Sequence, residues 1–406
     1  MLKHAITIAV FLLILVPSYS YSKVRGEATH LSIHSEILDE ERELFIHLPN
    51  SYYLSNSHST SKPLSTTREQ LESQLHYPVL HLLDGQRNFA HAVGTLDLLN
   101  QSNMAQEMIV VAIANTHRSR DFTPTYDANY NEWGRSGGAD NFLDFIEKEL
   151  VPYINENYRA NNFKIISGHS LGGLLSVYAL QSRPHLFQAH FAFSPSLWWQ
   201  EQVIFDDAET FFSDTSELNN YLYINMGSEG GHMLTSYQRY IELLNTHKRK
   251  GFNYNTDLDT SEGHNTTALA GHSLAYQNLY KSLQPSNEVL SGGIPAIKQF
   301  YKAQSEMYGY DIKPSYRAIN SVGYKALSEK DYSTAIAIFQ SNVESYHYKA
   351  DAYDSLADGF EASGDLQKAL EMRSLAIQKS VVENVENGAY KTRHANLLKK
   401  IQDKNL

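Results

Sequence analysis

The chain contains five short, continuous apolar runs, separated by stretches in which apolar residues recur about every fourth position. Continuous apolar runs of this length are typical of strands that are buried on both faces of a parallel sheet. The spaced apolar residues predict helices, most clearly over 140–153 and 171–180. The predicted strands cover residues 78–84, 108–115, 163–167, 190–194 and 221–225. Strands that alternate with helices indicate an α/β fold with a mostly parallel central sheet, over residues 24–285.

The residues before this pattern alternate between apolar and polar positions. Leu31 and Ile33 belong to one alternating run, and Leu44, Ile46 and Leu48 belong to a second. A period of two predicts antiparallel strands at the edge of the sheet.

The strand-like runs disappear after residues 283–295, which are rich in Gly, Pro and Ser. We predict a linker over 286–312 and a small α-helical domain over 313–406. Within that domain, the sequence aligns with itself when it is shifted by 34 residues, so that Val322 falls on Leu356. The period and the small residues at matching offsets resemble tetratricopeptide repeats, in which each helix pair packs on its neighbour.

About two repeats are visible, followed by a capping helix around 390–401. Since about three repeats are normally needed for independent stability, the alternative is a helical hairpin that packs on the sheet domain. A repeat domain would offer a surface for a protein partner or for self-association.

The composition excludes several classes of function. The chain has 406 residues, a formal net charge of −11 and no cysteine. An acidic chain without a basic patch of useful length is not expected to bind nucleic acid or anionic membranes. The lack of cysteine excludes disulfides, thiolate metal sites and a cysteine nucleophile. No phosphate-binding loop or His-Glu metal motif occurs, so we expect neither a cofactor nor a metal.

Residues 1–20 have the pattern of a secretory signal peptide. A weakly basic start precedes the apolar run 5–16, and small residues follow at alternate positions up to Ser20 and Ser22. The apolar run is shorter than the ~20 residues of a spanning helix, which favours cleavage after Ser20 or Ser22 over an uncleaved anchor. We therefore expect no stable membrane span and a periplasmic or secreted mature protein.

The candidate chemistry centres on Ser170, which lies between Gly168 and Gly172. In a G-x-S-x-G turn between a strand and a helix, the serine hydroxyl projects above the sheet, and side chains at the two glycines would collide across the turn. The pentapeptide alone is weak evidence, because a glycine-rich turn can contain a serine by chance. Here a predicted strand precedes the motif and a predicted helix follows it, which favours a nucleophile over a turn residue.

A serine nucleophile needs a base that is oriented by an acid, and in this arrangement the chain order is Ser, acid, His. Glu229 lies in a glycine-rich loop after the strand 221–225, and His264 lies in the loop after a further predicted strand, 252–256. Both therefore occur in the expected order and on the expected loops. The alternatives are two histidines and two aspartates: His232, His272, Asp257 and Asp259.

Acyl transfer also needs hydrogen-bond donors for the negative charge that develops on the carbonyl oxygen. The backbone N–H of Leu171, directly after the nucleophile, is one expected donor. The second is the backbone N–H of Gln86, because Gly85 before it lets the chain approach a substrate closely.

The chain resembles a known family, the putative esterase or esterase D family of α/β hydrolases, and within it the siderophore (enterobactin) esterase-like branch. The matching segments occur in order over about residues 40–285. They are FIHLPNSY, PVLHLLDGQRNF, RDFTPT, GGADNFLDFIEKELVPYINENY, SGHSLGGL, FSPSLWW, GSEG and EGHNT. The resemblance implies Ser170 as nucleophile, His264 as base and Glu229 as orienting acid.

The resemblance also makes four further residues candidates for the substrate pocket: Trp198, Trp199, Arg118 and Arg120. For the tryptophans the alternative is core packing, because large aromatic side chains are usually buried.

The expected function is a metal-independent serine ester hydrolase that acts on a small-molecule ester. Similar proteins act on siderophore lactones, S-formylglutathione and feruloyl sugars, and some transfer acyl groups, so fold does not decide the substrate. An exported location favours an extracytoplasmic ester, and tryptophans with arginines suit an aromatic, anionic ester such as a catecholate. The alternatives are an acyltransferase of the same mechanism and an interaction protein with an inactive hydrolase domain. No triad member is lost, which disfavours the last.

Overall fold

The computed structural model of the protein describes residues 28–54, 75–102, 104–214, 216–383 and 385–404. The predicted signal peptide lies outside these residues. Eight strands form one sheet in the order β1-β2-β4-β3-β5-β6-β7-β8. The strands are β1 (Thr29–Ser35), β2 (Glu40–His47), β3 (Tyr77–Leu82), β4 (Ile109–Ile113), β5 (Ala160–His169), β6 (Ala189–Phe193), β7 (Tyr221–Met226) and β8 (Asn253–Leu258).

The pairing of the strands follows their sequence pattern. Strands β1 and β2 pair antiparallel, and β2 pairs antiparallel with β4. All neighbours from β4 to β8 are parallel. Every residue of β3, β4, β6 and β7 is buried, because helices cover both faces of the sheet. The predicted α/β fold with a mostly parallel sheet and an antiparallel edge is therefore confirmed.

Helices of the sheet region form two layers. On one face, apolar side chains such as Phe142 and Leu174 form one core, and on the other face Leu96 and Ala275 belong to a second core. The helices are α1 (Asn50–Leu54), α2 (Gly85–Gln101), α3 (Arg118–Phe122), α4 (Ala139–Phe145), α5 (Val151–Asn157), α6 (Leu171–Ser182), α7 (Trp199–Gln202), α8 (Ala208–Ser213), α9 (Gly231–Thr246) and α10 (Thr267–Ser282). A π-helical turn, Ile146–Leu150, joins α4 to α5. Two short 3₁₀ helices are Ala128–Trp133 and Val203–Phe205.

The segment 286–312, predicted as a linker between the two domains, is largely helical. It contains α11 (Asn287–Ser291) and α12 (Gly293–Tyr308). Ile297 and Tyr301 of α12 are buried in the same core as Leu96 of the sheet region. The glycines and the proline that indicated a linker stand at the start of α12, where proline is compatible with the first helical turn.

The C-terminal helices repeat at the period seen in the sequence. They are α13 (Tyr316–Ser328), α14 (Tyr332–Ser345), α15 (Ala350–Ser363), α16 (Leu366–Val382) and α17 (Gly388–Lys404). The starts of α13 and α15 lie 34 residues apart, as do those of α14 and α16. The side chains of Asp331 and Asp365 each accept a hydrogen bond from a backbone N–H in the first turn that follows. The tetratricopeptide resemblance, the domain boundaries and a partner role stay predictions.

Every helix in the described ranges is either too short or too polar to span a bilayer.

Candidate active site

Ser170 lies at a sharp turn between β5 and α6. Its backbone has φ 60° and ψ −116°, a conformation that costs an L residue about 1–3 kcal/mol. The turn is held from both sides, because the Ser170 N–H donates to the carbonyl of Phe193 at 2.9 Å and the Ser170 carbonyl accepts from the N–H of Ser196 at 3.0 Å. Neighbouring backbone therefore maintains the strained conformation of the serine.

The glycines around Ser170 differ in how much space the structure leaves for a side chain. A Cβ atom at Gly168 would lie 2.2 Å from the carbonyl oxygen of Gly172, so no side chain fits there. A Cβ atom at Gly172 would make only ordinary contacts, at 3.4 Å or more. The expectation that both positions exclude a side chain is thus correct for Gly168 alone. Gly173 is the second tight position, since its Cβ would lie 3.0 Å from the Cα of Pro195.

The structure brings Ser170, His264 and Glu229 together. His264 Nε2 lies 3.1 Å from Ser170 Oγ, and His264 Nδ1 lies 2.8 Å from Glu229 Oε1. Glu229 follows β7 and His264 follows β8, so both stand at the carboxyl ends of parallel strands beside the end of β5. The three side chains form one continuous hydrogen-bonded row.

The alternative residues make other contacts. His272 is fully buried, where its Nδ1 lies 2.6 Å from the Ala268 carbonyl and its Nε2 lies 3.0 Å from Ser167 Oγ. His232 is exposed at the start of α9. Asp257 accepts from the hydroxyl of Tyr223, and Asp259 accepts from the N–H of Ser261.

The protonation state of the row follows from its geometry. The Glu229 carboxylate can only accept hydrogen bonds, so the proton of neutral His264 is assigned to Nδ1, which leaves Nε2 free to accept the proton of Ser170. Burial alone would raise the pKa of Glu229, but the Ser194 hydroxyl, backbone hydrogen bonding and His264 hold that pKa below its ordinary value. Glu229 is therefore ionised at neutral pH.

Two backbone N–H groups lie at the starts of helices that follow the adjacent parallel strands β3 and β5. Leu171 is the first residue of α6 and Gln86 is the second residue of α2, and the first N–H groups of a helix have no partner within it. Gly85 lets α2 approach the end of β4, because a Cβ there would lie 2.9 Å from the carbonyl group of Ile113. The side chain of Gln86 is fixed separately, since its Oε1 accepts from the Asn115 N–H at 3.1 Å.

The two predicted pocket arginines are held in ion pairs. Arg118 donates from Nε to Asp84 Oδ1 at 2.6 Å and from Nη2 to the His169 carbonyl at 3.0 Å. Arg120 donates to Glu40 and to Asp121, each at 2.7 Å. Carboxylates that are buried or half-buried pair with both guanidinium groups, so these contacts brace the surrounding loops. A role of the two arginines in substrate binding stays a prediction.

The two predicted pocket tryptophans differ. Trp199 is 0% exposed, and its indole N–H donates to Thr125 Oγ1 at 3.1 Å, so it is a core residue that no substrate can reach. Trp198 is half-buried and lies 5.6 Å from the ring of Tyr130, centroid to centroid. It belongs to the loop of Ser196, whose hydroxyl oxygen lies 3.3 Å from Ser170 Oγ. Of the two tryptophans, only Trp198 therefore stays a candidate for contact with a substrate.

The sequence analysis missed His169, the residue before the nucleophile. Its Nε2–H donates to the His264 carbonyl at 2.6 Å, and the two imidazole rings lie 4.6 Å apart. Burial and the neighbouring His264 lower the pKa of His169 to about 4, so it is neutral at neutral pH. His169 lies within the G-x-S-x-G motif, but that motif specifies only the two glycines and the serine, so it gave no reason to single out the histidine.

Comparison with known proteins gives a consistent result. The model of the putative esterase family matches residues 35–280. Among curated proteins, the chain is 32% identical over 166 residues to the ferri-bacillibactin esterase BesA of Bacillus subtilis, which covers 36% of this chain and 57% of the relative. It is 30% identical over 192 residues to the siderophore triacetylfusarinine C esterase of Aspergillus fumigatus, which covers 42% of this chain and 64% of the relative. These alignments span less than two thirds of each relative.

Among solved structures, the chain is similar to an IroE-like serine hydrolase from Shewanella oneidensis. The TM-score is 0.63 at 25% identity, and the superposition covers 75% of this chain and 95% of that one. The matched residues 35–280 include the whole parallel sheet and all three members of the hydrogen-bonded row. The chain therefore belongs to the putative esterase family of α/β hydrolases.

Proposed function

We propose that this protein is a serine carboxylic-ester hydrolase in which Ser170 is the nucleophile, His264 the general base and Glu229 the orienting acid. The observation that carries the proposal is the hydrogen-bonded row from Ser170 through His264 to Glu229, at a strained turn between a strand and a helix. Residues in these roles activate a hydroxyl that is otherwise a poor nucleophile.

In the first step, Ser170 Oγ attacks the ester carbonyl while His264 Nε2 takes the hydroxyl proton. The negative charge on the carbonyl oxygen is stabilised by the backbone N–H groups of Leu171 and Gln86. The protonated His264 then gives its proton to the departing alcohol, which leaves an acyl group on Ser170. In the second step, water attacks the acyl carbonyl while His264 Nε2 takes a proton from the water. The bond between the acyl group and Ser170 Oγ then breaks, His264 returns the proton to Oγ, and the acid is released.

Two side chains lie beside the imidazole ring of His264 in the proposed mechanism. Glu229 is ionised and accepts the Nδ1 proton at 2.8 Å, which stabilises the imidazolium. His169 lies against the same ring and is neutral, so it adds no repulsion. The proton transfer therefore takes place beside one negative charge and one neutral ring.

We propose siderophore-type esters as the substrate class. The support is twofold: the relatives reported above are named for siderophore esters, and Trp198 with Tyr130 forms an aromatic surface in the loop region next to Ser170. A substrate panel of a catecholate trilactone, a hydroxamate ester and simple alkyl esters tests this class. Cleavage of simple esters alone would remove the siderophore assignment but keep the hydrolase.

We also propose that the protein is exported after removal of residues 1–20 or 1–22. The support is the basic, apolar and small-residue pattern of the N-terminus. Expression of the full chain in a Gram-negative host, followed by N-terminal sequencing of the periplasmic fraction, tests the proposal. A protein that keeps its first residues and stays with the membrane fraction would contradict it.

The central experiment compares the wild type with Ser170→Ala on a short p-nitrophenyl ester, together with labelling by a fluorophosphonate. Ser182→Ala serves as the matched control, because this exposed serine lies at the other end of the same helix. We expect loss of labelling and a fall in kcat of about 10⁴-fold or more in Ser170→Ala, with no change in the control. A wild type that neither labels nor hydrolyses would refute the proposed function.

A further inference from the structure

One arginine at the edge of the proposed site has no task in the mechanism above. Arg87 follows Gln86 in the first turn of α2, and its side chain is exposed. Its Nη2 donates to the backbone carbonyl of Asn265 at 3.2 Å and to the side-chain Oδ1 of the same residue at 3.1 Å. Since Asn265 directly follows His264, the guanidinium group joins the loop of the proposed base to the turn that supplies the Gln86 N–H.

The charge of Arg87 differs from that of the two arginines predicted for the pocket. Arg118 and Arg120 are neutralised by carboxylates, whereas both acceptors of Arg87 are neutral amide oxygens. Across the ranges that the structure describes, no carboxylate lies within ion-pair distance of Arg87. Both of its hydrogen bonds use Nη2, so Nε and Nη1 stay available as donors for a carboxylate or another oxyanion.

The position of Arg87 is unfavourable for the fold itself. The first turn of a helix has a positive electrostatic potential, so a cation there is destabilising. The charge also acts on the site, because Arg87 contributes, after burial and the neighbouring His264, to the low pKa of His169. The positive charge of Arg87 has no carboxylate partner, is disfavoured by the dipole of α2 and acts on the side chains beside the proposed base. These properties indicate that Arg87 has a function other than stabilising the fold.

We infer that Arg87 selects esters that carry a negative charge, by pairing with an oxyanion on the part of the substrate that projects from the site towards the α2 turn. The inference rests on the proposed function, because it assigns a charge preference to the same site. Arg87 touches no reacting atom and acts as a specificity residue.

The test uses mono-p-nitrophenyl terephthalate and its methyl ester, an anionic and a neutral substrate whose second carboxyl group cannot reach the scissile carbonyl. The measured quantity is the ratio of kcat/KM for the anionic ester to kcat/KM for the neutral one. For Arg87→Gln we expect this ratio to fall about fivefold at low ionic strength, the size expected of one exposed charge pair. For Arg87→Glu we expect a fall of about 25-fold, because attraction is replaced by repulsion.

Three variants separate charge from structure. Arg87→Lys keeps the charge and should keep most of the ratio. Asn265→Ala removes one acceptor of Arg87 but leaves the charge, so its ratio should match the wild type. Lys391→Gln removes one positive charge from the exposed surface of α17 and controls for a general change of net charge. Added salt should reduce the wild-type ratio, since exposed charges are screened.

The outcomes are distinct. An unchanged ratio of kcat/KM values in Arg87→Gln overturns the inference. This holds if both activities stay the same, and also if both fall together, because an equal fall would mean that Arg87 only positions the His264 loop. If the wild type hydrolyses neither ester and resists the fluorophosphonate, the proposed function fails, and the inference about Arg87 falls with it. Labelling of Ser170 together with an unchanged ratio would refute the inference alone.

Discussion

The sheet region and the C-terminal helices are built from contacts of different range. In the sheet region, the side chains of Ser170 and His264 meet although 94 positions separate them in the chain. In the C-terminal region, buried residues such as Ala335, Phe339 and Leu356 belong to consecutive helices and share one small core. The geometry of the proposed site therefore depends on sheet topology, whereas the packing of the C-terminal helices depends on contacts between helices that are neighbours along the chain.

The two regions also differ in the charge of their buried polar side chains. Next to the proposed site, His169 and His272 are buried in the neutral form and bond to backbone carbonyls. In the repeats, Arg373 is buried as a cation between the carboxylates of Asp354 and Asp358. Neutral imidazoles add no charge of their own to the site, while the ion cluster ties α15 to α16.

Replacement of the proposed acid should give the largest effect and should be confined to the sheet region. Glu229→Gln keeps the size of the side chain but removes the negative charge beside His264, so kcat should fall about 10⁴-fold with little change in KM. Steady-state hydrolysis of a p-nitrophenyl ester measures this. Glu242→Gln on the exposed side of α9 is the control. A decrease of less than about tenfold would mean that Glu229 is not the orienting acid.

Matched glycine substitutions test whether the two regions are separable. In Gly168→Ala the new Cβ meets backbone, so the Ser170 turn must move and kcat/KM should fall about 10³-fold. In Gly323→Ala the new Cβ would lie 2.4 Å from the ring of Phe339, which should lower stability by about 1–3 kcal/mol. Hydrolysis and urea denaturation are measured on both. Loss of hydrolysis in Gly323→Ala would show that the helices support the site directly.

Removal of the buried cation tests the C-terminal region alone. Within the described part of the chain, Arg373→Met leaves Asp354 with Arg393 as its remaining cationic partner, so the free energy of unfolding should fall by about 3–4 kcal/mol. Amide exchange should become faster in α15 and α16, with ester hydrolysis unchanged at low temperature. Lys368→Met, at an exposed ion pair, is the control and should cost about 0–1 kcal/mol. Equal losses in the two variants would contradict a buried ion cluster.

Acid should weaken the sheet region through its neutral histidines. The folded-state pKa of His169, about 4, lies below the ordinary value of 6.5, so its contribution to stability is complete above pH 6.5 and is lost as the pH falls towards 4. Between pH 7 and pH 4.5 the loss should be on the order of 2–3 kcal/mol. His169→Gln, which keeps a donor for the His264 carbonyl, should lose less stability over this interval.

Urea denaturation at pH 7 and pH 4.5 measures the difference between wild type and His169→Gln. His232→Gln, at an exposed position, should retain the full wild-type pH dependence. A wild type and His169→Gln with equal pH dependence would show that His169 is not held neutral by the fold.

Several structural details cannot be read from the sequence, for one reason. The glycines and proline before α12 indicated a linker, Trp199 was left open between a pocket and the core, and nothing in the sequence assigned a partner to Arg120. In the structure α12 packs its Ile297 into the core, Trp199 is buried, and Arg120 pairs with Glu40. Each outcome depends on a partner that is distant in the sequence, and a single chain pattern carries no information on distant partners.

The sequence by itself determined the fold class, the edge strands, the period of the C-terminal helices and the order Ser170, Glu229, His264. These features follow from the local hydrophobic pattern or from the order of motifs along the chain, and neither depends on contacts between distant residues. Only the tertiary structure decided which carboxylate meets His264, which glycine closes the Ser170 turn, and which arginine keeps an unpaired charge. These are questions of distance between side chains on separate loops, and the loops are brought together only where the parallel strands of the sheet end at one edge.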